Sequence, residues 1–437
     1  MSDDARSSLR MPLRWRRGPV LAIAVAGAVL LAAVGLALSR PDVIATGLPL
    51  ALGAAWMLLR RPSDGTALIA LRAASRKRGA TAAARGSIDV DTEADWMQLA
   101  IDQDGRRSAL AEVRRGSAVA RSTAVLRHSG PVELLAVTAR AVTMDGAWLS
   151  DVSERVALGW RTPPEIREPG VVPTGRRLRG IHGTHEGSRP GDGGDFRDIH
   201  PFAPGDQLRR IDWRATARAA RRRGDLLVRR YDSLSDSSVV IALDTADDLG
   251  AVVASWGRSD PDRSGVTSLD LGREAALSIA AAAIGSGDRV AFHALAPGGR
   301  SLRSGGGSRH LARLRGVVAA TGVGGEDAHL RRTPVVPNGS IVFVLSTFSD
   351  GIAAVQATRW RAAGHAVVAV DVLPELDTAR LTVEQRVAMR TLLAERTEVL
   401  ADLQHAGIEV VPWSSSDREV GMRLAAMRQR RERAGRR

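Results

Sequence analysis

The chain has 437 residues, 44% of them hydrophobic, and a formal net charge of +14. This length and composition are typical of a folded protein with two or three domains. Cysteine is absent, which excludes disulfides, thiol nucleophiles and thiolate metal sites. Lys77 is the only lysine and no glycine-rich loop precedes it, so the sequence also excludes an ATPase of the P-loop class.

Two apolar segments predict a transmembrane helical hairpin over residues 19–60, after a basic N-terminus of residues 1–18. The first segment, residues 19–38, has no charged residue and is long enough to cross a hydrocarbon core of about 30 Å. Arginines flank both segments on the outside, whereas the turn has only Arg40 beside Asp42. The positive-inside rule therefore predicts an inner-membrane protein with both termini in the cytoplasm. A cleaved signal peptide, the alternative, would leave the second segment unexplained.

The next two segments differ in pattern. Residues 61–94 are rich in Ala, Arg and Gly with weak periodicity, which predicts a juxtamembrane helix or linker whose arginines contact anionic lipid headgroups. Residues 95–162 contain short apolar runs, and Asp145-Gly146 between two of them is a hairpin signal. We therefore expect a small β-rich domain over residues 95–162.

Strands and helices alternate from residue 237 to residue 415, after a segment at 163–236 whose prolines mark a boundary. This alternation predicts an α/β fold with a doubly wound parallel sheet, in which ligands bind at the carboxyl ends of strands. A basic helix is expected over residues 416–437. The predicted strands cover residues 239–243, 289–295, 341–345, 366–370 and 408–411, and the predicted helices cover 271–284, 308–319, 352–363 and 383–404.

Residues 187–218, which we call the signature segment, combine Gly, acidic, Arg and aromatic residues in a way that is not typical of a core. Pro204-Gly205-Asp206 predicts a turn, and Asp212 is a candidate cap for a helix that ends near Gly224. Alternating charges at Asp206, Arg209, Asp212 and Arg218 suggest an ion-pair network. The residues that distinguish the segment are Gly187, Ser188, Asp195, Phe196, Pro204, Gly205, Asp206, Arg209, Asp212, Trp213 and Arg218.

The signature segment resembles that of a bacterial family known as domain of unknown function 58, with Asp195 where the family usually has Glu and Phe202 where it usually has Tyr. The resemblance also covers the paired membrane helices and the strand that ends at Asp244. It implies a C-terminal domain similar to von Willebrand factor A domains and an association with MoxR-type AAA+ ATPases. The alternative is a network that only fixes the segment against the sheet.

The likeness to von Willebrand factor A domains further implies a candidate Mg²⁺ site, because these domains can bind the ion through an Asp-x-Ser-x-Ser loop with a Thr and an Asp from neighbouring loops. Here Ala246 and Asp248 replace the two serines, and Thr347 stands where the family usually has Asp. The metal-ion-dependent adhesion site is therefore degraded, with solvated loop acids as the alternative interpretation. Its candidate ligands are Asp244, Asp248, Thr347 and Asp350.

These features predict a membrane-anchored scaffold or adaptor with no catalytic residues, partnering a MoxR-type AAA+ ATPase in the assembly or maturation of protein complexes. The arginine-rich C-terminus supports an alternative, a basic membrane protein that binds nucleic acid or another polyanion. A single Tyr and 3% aromatic residues leave little to stack bases on, which argues against nucleic acid. A third hypothesis, a metal-dependent hydrolase using Asp244 and Asp350, lacks an identifiable base.

Overall fold

The computed structural model describes residues 5–78, 81–103, 107–168, 172–173, 185–203, 206, 208–219, 226–235, 237–256, 264–296, 299–324 and 334–435. The chain forms two compact units. The first unit consists of Met1–Arg127 and Pro131–Arg161, and the second of His128–Gly130 and Thr162–Arg437. The short segment His128–Gly130, which we call the connecting segment, thus belongs to the second unit although first-unit residues lie on both sides of it in the sequence.

The first unit contains an eight-stranded sheet and two helices. Strand β3 pairs with β1 and β4, and β4 pairs with both β5 and β6, always in the antiparallel direction. The strands are β1 (Ala5–Leu13), β2 (Trp15–Arg17), β3 (Gly65–Arg78), β4 (Thr81–Gln103), β5 (Arg107–Val125), β6 (Gly130–Val142), β7 (Trp148–Ser150) and β8 (Val156–Thr162), and the helices are α1 (Pro19–Ala37) and α2 (Pro41–Leu59).

The predicted β-rich domain is confirmed, but it begins much earlier in the chain than expected. The prediction of a helix or linker over residues 61–94 is wrong, because β3 and β4 occupy most of that range. Ile69 and Leu71 are fully buried at alternate positions of β3, which is the period of a strand with one face on a core. Arg72 pairs with Asp89 of β4 at 3.2 Å, so at least one arginine of this range is committed to the sheet.

The basic N-terminus also joins this sheet. β1 pairs with β3 over its whole length, and β2 pairs with β7. Met11, Leu13 and Trp15 are at most 8% exposed, again at alternate positions. Arg14 between them is exposed, as are Arg16 and Arg17 after Trp15, so the sequence shows the basic residues of this segment more clearly than its buried ones.

Helices α1 and α2 form where the sequence predicts them. Both are long and apolar enough to cross a membrane, with mean hydropathies of 2.7 and 1.6 over their most apolar parts. Only 17% and 11% of those parts are buried in the protein, so the helices are not ordinary core helices. The two helices pack closely at glycines: a Cβ at Gly35 would lie 2.5 Å from Ile44, and one at Gly47 would lie 3.1 Å from Leu31.

The second unit contains a hairpin and a six-stranded sheet. The sheet has the order β13-β12-β11-β14-β15-β16; β13 is antiparallel to β12, and the other neighbours are parallel. Its elements are β9 (His185–Pro201), α3 (Trp213–Ala219), β10 (Leu227–Ser235), β11 (Ser238–Asp244), α4 (Ser268–Gly285), β12 (Arg289–Leu295), β13 (Ser301–Gly305), α5 (Gly307–Ala319), β14 (Ile341–Ser346), α6 (Ile352–Ala362), β15 (Ala366–Asp371), α7 (Val383–His405), β16 (Glu409–Pro412) and α8 (Asp417–Gly435).

Both faces of the second sheet are buried. Ile241 and Leu243 of β11 pack in a cluster with α4, whereas Val240 and Ala242 pack in a different cluster with α6 and α7. A strand buried on both faces reads as a continuous apolar run, which is why the parallel strands were predictable. The α/β alternation predicted from residue 237 onward is present, and the sequence missed β13 and the β9-β10 hairpin, whose glycines and arginines read as loops.

Candidate functional site

The carboxyl end of β11 holds Asp244 in a fixed position. One of its oxygens accepts a hydrogen bond from the amide of Ala246 (3.1 Å) and the other from the hydroxyl of Ser346 at the end of β14 (2.7 Å). Burial raises the pKa of Asp244, and the nearby carboxylates of Asp350 and Asp247 act in the same direction. Hydrogen bonds from Ser346 and Ala246 oppose this rise without cancelling it.

The other candidate Mg²⁺ ligands have different roles in the structure. Asp248 accepts a hydrogen bond from the amide of Leu269 (3.1 Å), and Asp350 accepts one from the amide of Ile352 (2.9 Å), each at the start of a helix. Within the described residues, no three His, Asp or Glu side chains form a group that could hold a metal ion. The four candidate ligands therefore do not fit a complete Mg²⁺ site. These ligands are Asp244, Asp248, Thr347 and Asp350.

A partly buried arginine of α7 contacts this edge of the sheet. Arg396 donates from Nε to the carbonyl of Thr347 (2.6 Å) and pairs through Nη2 with Asp371 at the end of β15. The side chains of Arg396 and Asp371 are only 12% and 13% exposed. This bridge ties the carboxyl ends of β14 and β15 to α7.

A second buried site surrounds the connecting segment. Asp270, near the start of α4, contacts His128 Nδ1 through Oδ2 (2.6 Å) and accepts two hydrogen bonds at Oδ1 from Ser129, from its amide (2.7 Å) and its hydroxyl (2.9 Å). The other ring nitrogen of His128, Nε2, lies 3.2 Å from Ser264 Oγ. Burial raises the pKa of Asp270, but hydrogen bonds and the charge of His128 outweigh it, so the pKa lies below its usual range.

The same site contains Arg273, which is only 4% exposed. Its Nε donates to the carbonyl of Thr321 (2.8 Å) and its Nη1 to the carbonyl of Ser129 (2.9 Å). Burial lowers the pKa of Arg273, whereas the charges of Asp248 and Asp270 raise it. Arg273 is therefore a cation close enough to interact with the carboxylate of Asp248.

Sequence reasoning missed this site because its parts are far apart in the chain. His128 and Asp270 are 142 positions apart, and His128 and Ser264 are 136 apart. The one local signal was the Thr267-x-x-Asp270 spacing, which is that of a capping box, and the structure forms this box at the start of α4.

Replacing Gly130 with Ala tests how tightly the connecting segment is packed. Gly130 has a φ of +94°, and a Cβ there would lie 2.5 Å from Arg273 Cζ. We therefore expect the variant to lose about 2–4 kcal/mol in the free energy of unfolding. Urea denaturation in detergent measures this loss. Gly307→Ala is the matched control, because Gly307 also has a positive φ (+78°) but open space around it. Equal losses of stability for the two variants would mean that the close approach of Gly130 to the Arg273 guanidinium does not hold Arg273 in place.

In the signature segment, Asp212 caps α3 as predicted. It is 7% exposed, and its Oδ1 accepts hydrogen bonds from the amides of Arg214 and Ala215, both at 3.0 Å. Its Oδ2 lies 2.6 Å from Nε of Arg229 in β10. The amide of Ala215 and the guanidinium of Arg229 lower the pKa of Asp212, so the cap is ionised at neutral pH.

The predicted turn and network are seen only in part. The amide of Asp206 donates to the carbonyl of Ala203 (3.0 Å), and its carboxylate lies 3.3 Å from His200 Nε2. Asp206 and Asp212 thus contact His200 and Arg229, which the sequence interpretation did not name, and Arg218 is exposed at the end of α3. Residues Pro204 and Gly205 lie outside the described residues, and so do the side chains of Gly187, Ser188, Asp195 and Phe196.

Four large apolar residues of the signature segment face solvent, whereas Ile211 is buried. Trp213, the first residue of α3, is 66% exposed, and Leu208 is 68% exposed. Ile199 and Phe202 are also exposed. A rigidly capped helix thus presents a Trp beside a buried and ionised Asp.

The chain combines a β-rich unit with two apolar helices and a mixed α/β unit that carries the signature segment. Residues 198–383 match the model of the family described as "Protein of unknown function DUF58", which supports the family that the signature indicated. The match includes the α3 cap, Asp244, Asp270 and Arg273, but not His128 or Ser129. No curated protein matches the chain.

Proposed function

We propose that this protein is a membrane-anchored scaffold or adaptor whose second unit binds a MoxR-type AAA+ ATPase during the assembly or maturation of protein complexes. The observation that carries the proposal is the exposure of Trp213 on a helix fixed by the buried Asp212. Trp213 leaves 66% of its surface in water, and Trp and Arg are among the residues that most often dominate binding energy at interfaces.

The surroundings of Trp213 suit a preorganised protein-binding surface. The cap and the Asp212–Arg229 ion pair hold α3 against β10, so little conformational entropy is lost when a partner binds. Exposed Leu208 adds apolar area, and Arg214 and Arg218 supply positive charge at its margin. Such a surface fits a partner with an apolar pocket and an acidic margin.

The fold is proposed to be von Willebrand factor A-like and doubly wound. The support is a sheet with five parallel strands in the order β12-β11-β14-β15-β16 and a hydrophobic cluster on each face. In such sheets the loops after the carboxyl ends of the strands form the binding face. Asp244 and the loop that contains Thr347 and Asp350 lie there, so this edge is a second candidate contact for the partner, without a bound metal.

The proposed location is the inner membrane, with both units in the cytoplasm. Arg14, Arg16 and Arg17 precede α1, and Arg60 and Arg61 follow α2, at the same end of the hairpin. At the other end, Arg40 pairs with Asp42 at 2.8 Å and contributes no net charge. Trp56 lies under the Arg60 guanidinium at 4.2 Å, an arrangement suited to the headgroup region.

Affinity purification of the full-length protein from gently solubilised membranes tests the proposal. An AAA+ ATPase is expected to co-purify with the wild-type protein. Trp213→Ala should reduce its recovery at least 30-fold, the effect of losing a hot-spot side chain worth about 2 kcal/mol. Because Trp213 is mostly exposed, the thermal unfolding midpoint should not change.

Two further variants locate the contact, and one serves as a control. Asp212→Ala tests the cap that orients Trp213, and Asp244→Ala tests the edge of the sheet. Val383→Ala removes an apolar side chain of similar exposure (63%) on α7 and should leave recovery unchanged. If the ATPase never co-purifies, or if Trp213→Ala retains it, the adaptor proposal fails; salt-sensitive recovery of nucleic acid instead would favour the polyanion-binding alternative.

A further inference from the structure

Two helices of the second unit carry exposed charged faces of opposite sign. The basic face, on α5, consists of Arg309 and Arg313. The acidic face, on the second half of α7, consists of Glu395, Glu398 and Asp402. We propose that the basic face of one copy of this chain binds the acidic face of a second copy. Both faces lie outside the signature segment, and the proposal does not depend on the adaptor function.

The basic face belongs to a stretch of chain without acidic residues. Between Arg289 and Gly324 the sequence contains six arginines and neither Asp nor Glu. Arg309 and Arg313 are four positions apart on α5, so they project from the same side of the helix with Cβ atoms about 5–6 Å apart. Among the described residues, neither guanidinium has a carboxylate partner. The positive charge of this face is therefore available to another molecule.

The acidic face is equally uncompensated. Glu395, Glu398 and Asp402 succeed one another at spacings of three and four, which places their carboxylates on one side of α7. No cation of the described chain pairs with them, and the neighbouring Arg396 is bound to Asp371 instead. Like charges at these spacings destabilise an isolated helix, so the stability of α7 itself does not account for them.

The two faces of one copy are too far apart to bind each other, because α5 and α7 cover opposite sides of the six-stranded sheet. Leu314 of α5 packs in the same cluster as Ile241, whereas Leu403 of α7 packs in the same cluster as Val240. Val240 and Ile241 are consecutive residues of β11, and consecutive side chains of a strand point to opposite faces of the sheet. A contact between the basic and acidic faces therefore requires a second copy.

The charges on the two faces also have matching spacings. Glu398 and Asp402 are four positions apart, as are Arg309 and Arg313, so two helices lying side by side can form two Arg–carboxylate pairs at once. An anionic lipid or a nucleic acid would bind the basic face alone and leave the acidic face without a partner. Because the two faces differ, each bound copy still has one face to offer, and such heterologous contacts extend into a row or close into a ring.

Charge reversal in the full-length, detergent-solubilised protein tests this proposal. Sedimentation velocity at low salt should show assemblies of more than one copy, which dissociate as the salt concentration rises. Arg309→Glu/Arg313→Glu should weaken association about 30-fold or more, because like charges then face each other, and Glu398→Arg/Asp402→Arg should do the same. All four side chains are exposed, so the thermal unfolding midpoints of both variants should match that of the wild type.

Mixing the two reversed variants separates this contact from a general effect of charge. One variant has two acidic faces and the other has two basic faces, so neither should associate alone, whereas an equimolar mixture should recover association. The matched control is Arg386→Glu/Arg390→Glu, which reverses two exposed arginines with the same spacing on earlier turns of α7. This control changes the net charge as much as the α5 variant does, and it should associate like the wild type.

Three results would overturn the proposal: a wild-type protein that sediments as a single copy at every concentration, assemblies that persist in both reversed variants, or a mixture that does not associate. Loss of association in the α5 variant alone would also overturn it, and would show that the basic face binds another polyanion. The experiment contains no ATPase, so its outcome and that of the adaptor proposal are independent.

Discussion

Arg273→Met should lower the free energy of unfolding of the second unit by about 3–5 kcal/mol, which is the loss expected when one partner of a buried ion pair is removed. Arg273 is 4% exposed and lies between the charges of Asp248 and Asp270. Without it, the carbonyls of Ser129 and Thr321 lose their donor, and the two carboxylates lose the nearby positive charge. Urea unfolding followed by tryptophan fluorescence measures the loss.

Arg309→Met is the matched control, because Arg309 is exposed on α5 and its replacement should change stability by less than about 0.5 kcal/mol. Combining Arg273→Met with Asp270→Asn removes both charges, so the double variant should lose less than the sum of the two single losses. Additive losses, or a loss for Arg273→Met no larger than that of the control, would show that the charge of Arg273 is not needed at this site.

Arg396→Met, at the carboxyl ends of β14 and β15, should have an effect of similar size, about 3–5 kcal/mol. It leaves the carboxylate of Asp371 buried without its ion pair and the carbonyl of Thr347 without its donor. Because Thr347 belongs to the loop after β14, the variant should also increase amide hydrogen exchange in that loop. Urea unfolding and hydrogen exchange by mass spectrometry measure the two effects separately.

Arg390→Met on the exposed side of the same helix controls for the loss of one positive charge from α7. Asp371→Asn in the Arg396→Met background should recover part of the lost stability, since it removes the unpaired buried charge. Unchanged exchange in the loop after β14 would mean that its conformation is set by Ser346 and Phe348, which are already hydrogen-bonded to each other (2.9 Å).

The sequence predicted the fold well for strands and helices whose pattern of apolar residues is visible within the element itself. Strands β11, β14 and β15 are buried on both faces and carry continuous apolar runs, and α4 begins at a capping box. Helices α1 and α2 follow from the absence of charge alone. Each of these signals lies within about twenty consecutive residues.

The first-unit strands were missed because their pattern is made of small residues. In β3 the buried positions include Ala67 and Ala73, whose apolar contribution is too weak to reveal alternation, and Arg72 occupies an exposed position between Leu71 and Ala73. Alanine is also a better helix former than strand former, so its intrinsic propensity favoured a helix where the structure has a strand. Pairing with β1 and β4 overrides that local preference.

The sites were predictable only where their residues are neighbours in the chain. The Asp212 cap uses the amides of Arg214 and Ala215, and the sequence shows it. The metal-ligand prediction used loop positions. In the structure Asp244 accepts hydrogen bonds from Ala246 and Ser346, whereas Asp248 and Asp350 accept them from amides at helix starts. His128 gives no local sign of its role, because Ser264 and Asp270 approach it only through the tertiary fold.

The discontinuity of the second unit limits how the protein can be divided. A fragment that starts at residue 162 would contain the whole six-stranded sheet but not the connecting segment His128–Gly130. In that fragment Asp270 would lack His128 and Ser129, and Arg273 would lack the carbonyl of Ser129. No single cut of the polypeptide therefore yields two complete halves, and the second unit acquires its full set of internal contacts only in a chain that also contains β5 and β6.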